Sequence, residues 1–425
     1  MVTEKVYRDY IRILNAELVP AMGCTEPISL AYGAAKCREI LGEMPKSIHA
    51  LCSGNIVKNV RCVKIPHSGG MVGIEAAVAL GAIGGNSSLE LEVLSTAGQA
   101  DIEATEAYLA EGRVTVELLD SNVPLHFILV MEGESDRAEI EICESHINVV
   151  RISMNGEDIY KADYSESEKL NYDSLDLHDI KEFADTVALS DVVHLLDRQI
   201  SYNMAIAEEG LDGKYGIGIG KIIGDSYPDS PLTEMKVMAS SASEARMGGC
   251  ELPVIVNSGS GNQGITTSVP VIVYAARMGY DREVLYRGLV FSNLLAVYQK
   301  MYIGKLSAFC GAVSAACAAG ATLTYMDRGD VVSIQHTIEN TLANIPGIIC
   351  DGTKISCAAK IVSSIDAAYL AHQMSMRGAV YNPHTGILQA DTSKTISCVG
   401  RVGKDGMRET DREILRIMLD STKNG

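Results

Sequence analysis

The sequence predicts an α+β protein in which a mainly helical body carries a smaller α+β lobe. Two observations point there. Runs rich in β-formers, VTVELL, LHFILVME, AEIEICES and INVVRISM, are separated by turn signals and confined to the stretch between residues 88 and 162. Elsewhere the chain has few aromatics, with no Trp and 4 Phe, but abundant Ala, Gly, Ser and Met. That composition suits closely packed helices better than a β-sandwich. At 425 residues the chain is long enough for one large or two moderate domains.

In chain order, residues 3 to 20 and 26 to 42 predict two helices, interrupted around Cys24 by Pro20 to Thr25. SIHALCSGNIVKNVRCVKI reads as a strand-like piece that ends at PHSGG, and GGMVGIEAAVALGAIGG as a small-residue helix bounded by glycines. DIEATEAYLAEG predicts a helix ahead of the β-rich runs. The division expected is a helical body from 1–87 and 178–425, an α+β lobe over 88–162, and a solvated acidic linker over 163–177. The uncharged stretch LSAFCGAVSAACAAGATLTY, residues 306 to 325, is rich in Ala, Gly, Ser and Cys rather than Leu and Ile, and predicts a buried helix rather than a membrane span.

The net charge of -18 argues against a nucleic-acid or anionic-membrane partner and in favour of a small molecule. The N-terminus lacks a basic region followed by an apolar block, so a cytoplasmic location is expected. Eleven cysteines without a CxxC fit neither a disulfide framework nor a zinc ribbon. They are inert core residues or ligands gathered from distant parts of the chain. A pattern C-x6-C-A-A occurs at Cys310 and again at Cys350, and duplication and chance both account for it.

Three stretches could carry chemistry. NSGSGNQG, residues 257 to 264, follows an apolar run and precedes a helix; its three glycines would let backbone amides approach a carboxylate or phosphate, although a plain tight turn also explains it. It lacks the Gly-Lys-Ser/Thr ending of a P-loop. SGNIVKN and IPHSGG place Asn55, Lys58 and His67 close in sequence as a donor, a cation and a base, a set that could hold an amino acid and remove a proton. Finally, Cys24, Cys310 and Cys350 each have a glycine nearby, which would let a bulky group approach the backbone. Composition alone does not select these three from the eleven.

GCTEP, SGNIVKN, SASEARMGGCELPVIVNSGSGNQG, KLSAFCGA and GIICDGTK together resemble the L-cysteine desulfidase family, also called UPF0597, and more distantly the α-chain of iron-sulfur L-serine dehydratases. The motifs run in order from residue 23 to 354. The resemblance implies a lyase that works without pyridoxal phosphate (PLP) and converts L-cysteine to hydrogen sulfide, ammonia and pyruvate on an oxygen-sensitive [4Fe-4S] cluster. By the matching motifs, Cys24, Cys310 and Cys350 are the cluster ligands, and the other eight cysteines, including Cys250, Cys317 and Cys357, are structural. Such a cluster leaves one iron open as a Lewis acid.

Within that reading His67 is expected as the base, with Lys58 as its rival. Asn55, Lys58 and the loop of Ser258, Gly259, Ser260, Gly261 and Asn262 would orient the substrate, and Lys354 would balance charge near the cluster. Two alternatives stand: an iron-sulfur L-serine dehydratase, and a PLP-dependent lyase of fold type II with Lys236 as its Schiff-base lysine. The lobe over 88–162 is open to regulation or to a homodimer interface.

Overall fold

The computed structural model describes residues 2–162, 170–304 and 306–420. Helices α1 (Glu4–Glu17) and α2 (Thr25–Leu41) flank the short strand β1 (Pro20–Ala21). Strand β2 (Ser47–Cys52) leads into α3 (Gly54–Val60), α4 (Gly73–Gly84) and α5 (Gln99–Ala110). Five strands follow: β3 (Val114–Leu118), β4 (His126–Glu132), β5 (Arg137–Cys143), β6 (Val149–Met154) and β7 (Glu157–Lys161). Helices α6 (Leu177–Thr186), α7 (Val193–Glu209), α8 (Ile219–Ser226) and α9 (Pro231–Met247) precede the short strand β8 (Val254–Ile255). The remainder is α10 (Gly261–Met278), α11 (Arg282–Ile303), α12 (Gly311–Asp327), α13 (Val331–Asn344), α14 (Cys357–Ser375), α15 (Thr392–Arg401) and α16 (Arg408–Asp420).

The main sheet has the order β3-β2-β4-β5-β6-β7, parallel between β2 and β3 and antiparallel elsewhere. Alternation along its strands buries Ile48, Ala50 and Cys52 of β2 and Ala138, Ile140 and Ile142 of β5. Helix α2 covers this face. It comes close because Gly33 has no side chain: an added Cβ would meet the Phe127 ring at 3.0 Å and Ile142 at 3.3 Å. Full burial of a side chain such as Phe127 or Ile140 contributes roughly 1.5–3 kcal/mol.

Small residues set the helix spacing in the body. Gly320 of α12 lies against Ala368 of α14, where a Cβ would meet the Ala368 Cβ at 2.8 Å. This is the physical content of the Ala- and Gly-rich composition: helices meet backbone to backbone, with few aromatics between them. Of the 306 to 325 segment, residues 311–325 fall in α12, which is buried from Ala312 to Tyr325 with Cys317 fully enclosed, while 306–310 precede the helix and are mostly half-buried. Among the described residues no helix is long and apolar enough to cross a membrane.

Three expectations are corrected. The sheet does not respect a division at residue 88, because β2 lies inside it between β3 and β4. One apolar cluster also runs from Phe127 and Ile140 of the sheet through Ile28 of α2 to Ile265, Ala312 and Ile361 of the body, so the lobe and the body share a core. SGNIVKN is a helix rather than part of a strand, starting one residue after Ser53, which has extended backbone. Of the expected linker, 163–169 lies outside the described residues, while the part that is described docks on α1: Asn171 donates to Asp9 (2.9 Å), Tyr10 donates to the Ser174 carbonyl (2.9 Å), and Leu175 is buried.

Candidate active site

The N-terminal ends of α2, α10 and α12 converge on one cavity of about 80 Å³, whose walls include Cys24, Cys310, Cys350, His146, Arg246 and Lys300. One water needs only ~10–15 Å³, so the space suits a larger guest. Helix N-termini present unpaired amides and a positive dipole end, which favour thiolates and anionic ligands.

Each thiol is placed by its local backbone. Cys24 is the N-cap of α2, and Gly23 before it turns with φ +51°, where a Cβ would strike the Pro66 ring. Cys310 is the N-cap of α12. Cys350 is fixed beside it by the antiparallel bridge between Phe309 and Ile349. The 257 to 264 loop forms the facing wall, with left-handed backbone at Ser258 (φ +51°) and Gly259 (φ +75°). The Thr25 hydroxyl ties this loop to the start of α2 by donating to the Gly259 carbonyl at 2.9 Å.

Charge is arranged on the same walls. Burial pushes the Cys24 thiol up, the nearby Glu26 carboxylate adds to that, and Arg246 opposes it. The thiol donates to Glu26 Oε2 at 3.0 Å, and Asn59 donates to Glu26 Oε1 at 3.0 Å. Burial works against the ionised form of Glu26, yet the influence of His146 and the Cys24 hydrogen bond hold its pKa below the usual carboxylate value. The mutual influence of the neighbouring Cys310 and Cys350 thiols raises the pKa of Cys310 and lowers that of Cys350. Burial pulls Lys300 down to about 8, with the two thiols acting in the opposite direction.

The expected site residues divide. Cys24, Cys310, Cys350, Ser258, Gly259, Ser260 and Asn262 line the cavity, and Gly261 opens α10 beside them. His67 does not line it; its Nδ1 lies 3.6 Å from Glu251. Asn55 and Lys58 line a neighbouring cavity of about 800 Å³. Lys58 pairs with Asp411, and its Nζ is 3.5 Å from the Cys350 carbonyl. Lys354 turns to Asp351 at 2.5 Å and does not reach the cavity. Lys236 also lies elsewhere, 3.0 Å from Asp366.

The glycines near the sulfurs serve another purpose than expected. A Cβ at Gly311 would collide with the Gln263 side chain, and one at Gly352 (φ +94°) with the Lys58 carbonyl. They let protein wall meet protein wall. Of the cysteines read as structural, Cys317 and Cys250 are buried away from the cavity, but Cys357 lines it.

Four ionisable cavity residues had no assignment from sequence: Glu26, His146, Arg246 and Lys300. His146 lies in the turn between β5 and β6, its carbonyl held by the Ser29 hydroxyl and its ring against Gly259, where a Cβ would meet Cε1 at 3.0 Å. No local signal marks it, since a lone His in CESHIN matches no motif. The sheet therefore supplies a residue to the cavity, which a separate lobe would not.

The serine dehydratase alpha chain family matches residues 88–416. The chain is similar over nearly its full length to UPF0597 proteins. That of Lachnoclostridium phytofermentans is 44% identical over 417 residues, covering 98% of this chain and 100% of that protein. That of Desulfitobacterium hafniense is 44% identical, covering 98% of each chain. That of Aeromonas hydrophila is 37% identical, covering 97% of this chain and 96% of that protein.

Proposed function

Since the chain belongs to the UPF0597 family and carries the serine dehydratase alpha-chain domain, a lyase domain, we propose that it is an L-cysteine desulfidase that eliminates hydrogen sulfide from L-cysteine with the help of a [4Fe-4S] cluster. The observation that carries this reading is the presence of Cys24, Cys310 and Cys350 on one cavity at the ends of three polypeptide segments. Among the described residues no three His, Cys, Asp or Glu side chains converge closely enough to hold a single metal ion. Cys310 and Cys350 stand side by side, and Cys24 lines the same cavity at the start of α2. Lys300 offsets the negative charge of such a cluster.

Cys24, Cys310 and Cys350 would hold the cluster, which when bound supplies a Lewis-acidic iron. The chain's own residues do the rest. Amides at the start of α10 and the Ser258 to Asn262 loop orient the substrate. His146, rather than His67, is the base we propose for the Cα proton, because it is the histidine on the cavity wall. As that C-H bond breaks, its electron pair forms the Cα=Cβ bond and hydrosulfide leaves Cβ. The resulting aminoacrylate tautomerises to an imine, which water hydrolyses to pyruvate and ammonia.

L-serine dehydration is the second reading, favoured by the family that matches residues 88–416. It differs only in the leaving group. Anaerobically reconstituted protein, given L-cysteine and L-serine at equal concentration, decides between them. Sulfide and pyruvate in equal amounts, ahead of any pyruvate from serine, support the desulfidase; faster turnover of serine reverses the assignment, and elimination from neither removes both.

A further inference from the structure

We infer that Arg246 binds the carboxylate of an α-amino acid in the cysteine cavity. The inference deepens the lyase reading of that cavity and names the chemical class it admits.

Arg246 stands in the last turn of α9, is only 2% exposed, and contributes to the cavity wall. Its Nε is sealed from solvent and has no acceptor. Among the described residues no carboxylate lies within ion-pair distance of its guanidinium. Glu26 acts on it only from beyond ion-pair distance, so the buried guanidinium keeps its donors unpaired, which is costly and is relieved by an anionic ligand in the cavity. A guanidinium is a flat fork of donors that matches a carboxylate in a bidentate pair.

A second feature points to the same place. Gly261, the first residue of the 18-residue helix α10, stands directly against Arg246, and a Cβ there would collide with Nε and Cζ. The guanidinium is thus seated at the start of a long helix, where the first-turn amides have no intrahelical acceptor and the dipole favours an anion. Glu26 lines the same cavity with the opposite charge. One cationic and one anionic group on a single wall system match the head group of a zwitterionic amino acid, and discriminate against a simple amine.

The test compares L-alanine with ethylamine on the anaerobically reconstituted full-length protein, by calorimetric titration. L-alanine has no β leaving group and is not consumed; ethylamine is the same molecule without the carboxylate. L-alanine is expected to bind at least tenfold more tightly than ethylamine. Arg246→Gln is expected to weaken L-alanine at least tenfold without changing ethylamine binding, iron content or melting temperature, and Arg246→Lys to restore part of the loss. Equal binding of the two ligands, no binding of L-alanine, or an L-alanine affinity within twofold of wild type in a folded Arg246→Gln protein would overturn the inference. The two-ligand comparison on wild type decides even where the variant fails to fold. Turnover of L-cysteine with a KM untouched by Arg246→Gln would sink this inference alone. Arg246-dependent L-alanine binding in a protein that eliminates from neither L-cysteine nor L-serine would sink the lyase reading alone.

Discussion

Cys310 and Cys350 are locked side by side by a reciprocal pair of backbone hydrogen bonds: the Cys310 amide donates to the Ile348 carbonyl at 2.8 Å, and the Cys350 amide to the Ala308 carbonyl at 2.7 Å. The register of this bridge, rather than helix spacing, brings the two thiols together. Their mutual influence leaves the Cys350 thiol with a pKa below that of a free cysteine, aided by the nearby charge of Lys58, while the Cys310 thiol is raised. Because the thiolate is the nucleophile, Cys350 is expected to react first of the four cavity cysteines when metal-free protein is treated with iodoacetamide at neutral pH. Timed peptide mass spectrometry checks the order. Modification of Cys24, Cys310 or Cys357 ahead of Cys350 would contradict the assigned order of thiol acidities.

His146, not His67, is placed to act on a ligand in the cavity. His146→Asn is expected to lower kcat by about 10²–10⁴, the range for a lost general base, with iron content unchanged. His67→Asn is expected to stay within about threefold of wild type. The reverse pattern in steady-state kinetics would return the role to His67.

Lys58 ties the C-terminal helix to the loop of Cys350. Its ammonium is almost fully buried and pairs with Asp411, whose side chain is 20% exposed. Asp411→Asn leaves that cation without its partner. The expected loss is near the lower end of ~3–5 kcal/mol, because the carboxylate is partly solvated. Urea denaturation checks it, and an unchanged midpoint would show that the pair contributes little.

His372 is completely enclosed, with Nδ1 2.9 Å from the Thr324 hydroxyl. Burial lowers its pKa below the ordinary value of 6.5, against the opposing pull of Asp327. The folded protein therefore keeps His372 neutral in a pH range where the unfolded chain protonates it. Its contribution to stability is present above pH 6.5 and declines as pH falls from there toward the lower folded pKa. Denaturation midpoints compared at pH 7.5 and pH 5.5 are expected to fall more in wild type than in His372→Gln; an equal fall in both would exclude this residue as the cause.

The fold was largely legible in the residues, because apolar periodicity reports local structure directly: α2, α4, α5 and the four strands from β3 to β6 follow their patterns closely. Local pattern does not place β2 in the sheet, since pairing between residues 47–52 and 114–132 is a long-range event that it does not encode. The same limit governed the site. The three thiols were selected by family resemblance and then found on one cavity. His146 and Arg246 went unassigned because a turn histidine and a buried arginine acquire meaning only once the sheet and α9 meet the start of α10. His67 stands near Asn55 and Lys58 in sequence, but it faces Glu251 while those two line the neighbouring cavity.

The central claim is that Cys24, Cys310 and Cys350 hold an iron-sulfur cluster. The most direct measurement is iron and acid-labile sulfide per chain after anaerobic purification and reconstitution, in wild type and in the Cys24→Ala, Cys310→Ala, Cys350→Ala and Cys317→Ala variants. About four of each per chain in wild type and in Cys317→Ala, with loss in the other three, is the expected result. Near-zero binding in wild type, or full retention in any of those three, would contradict it.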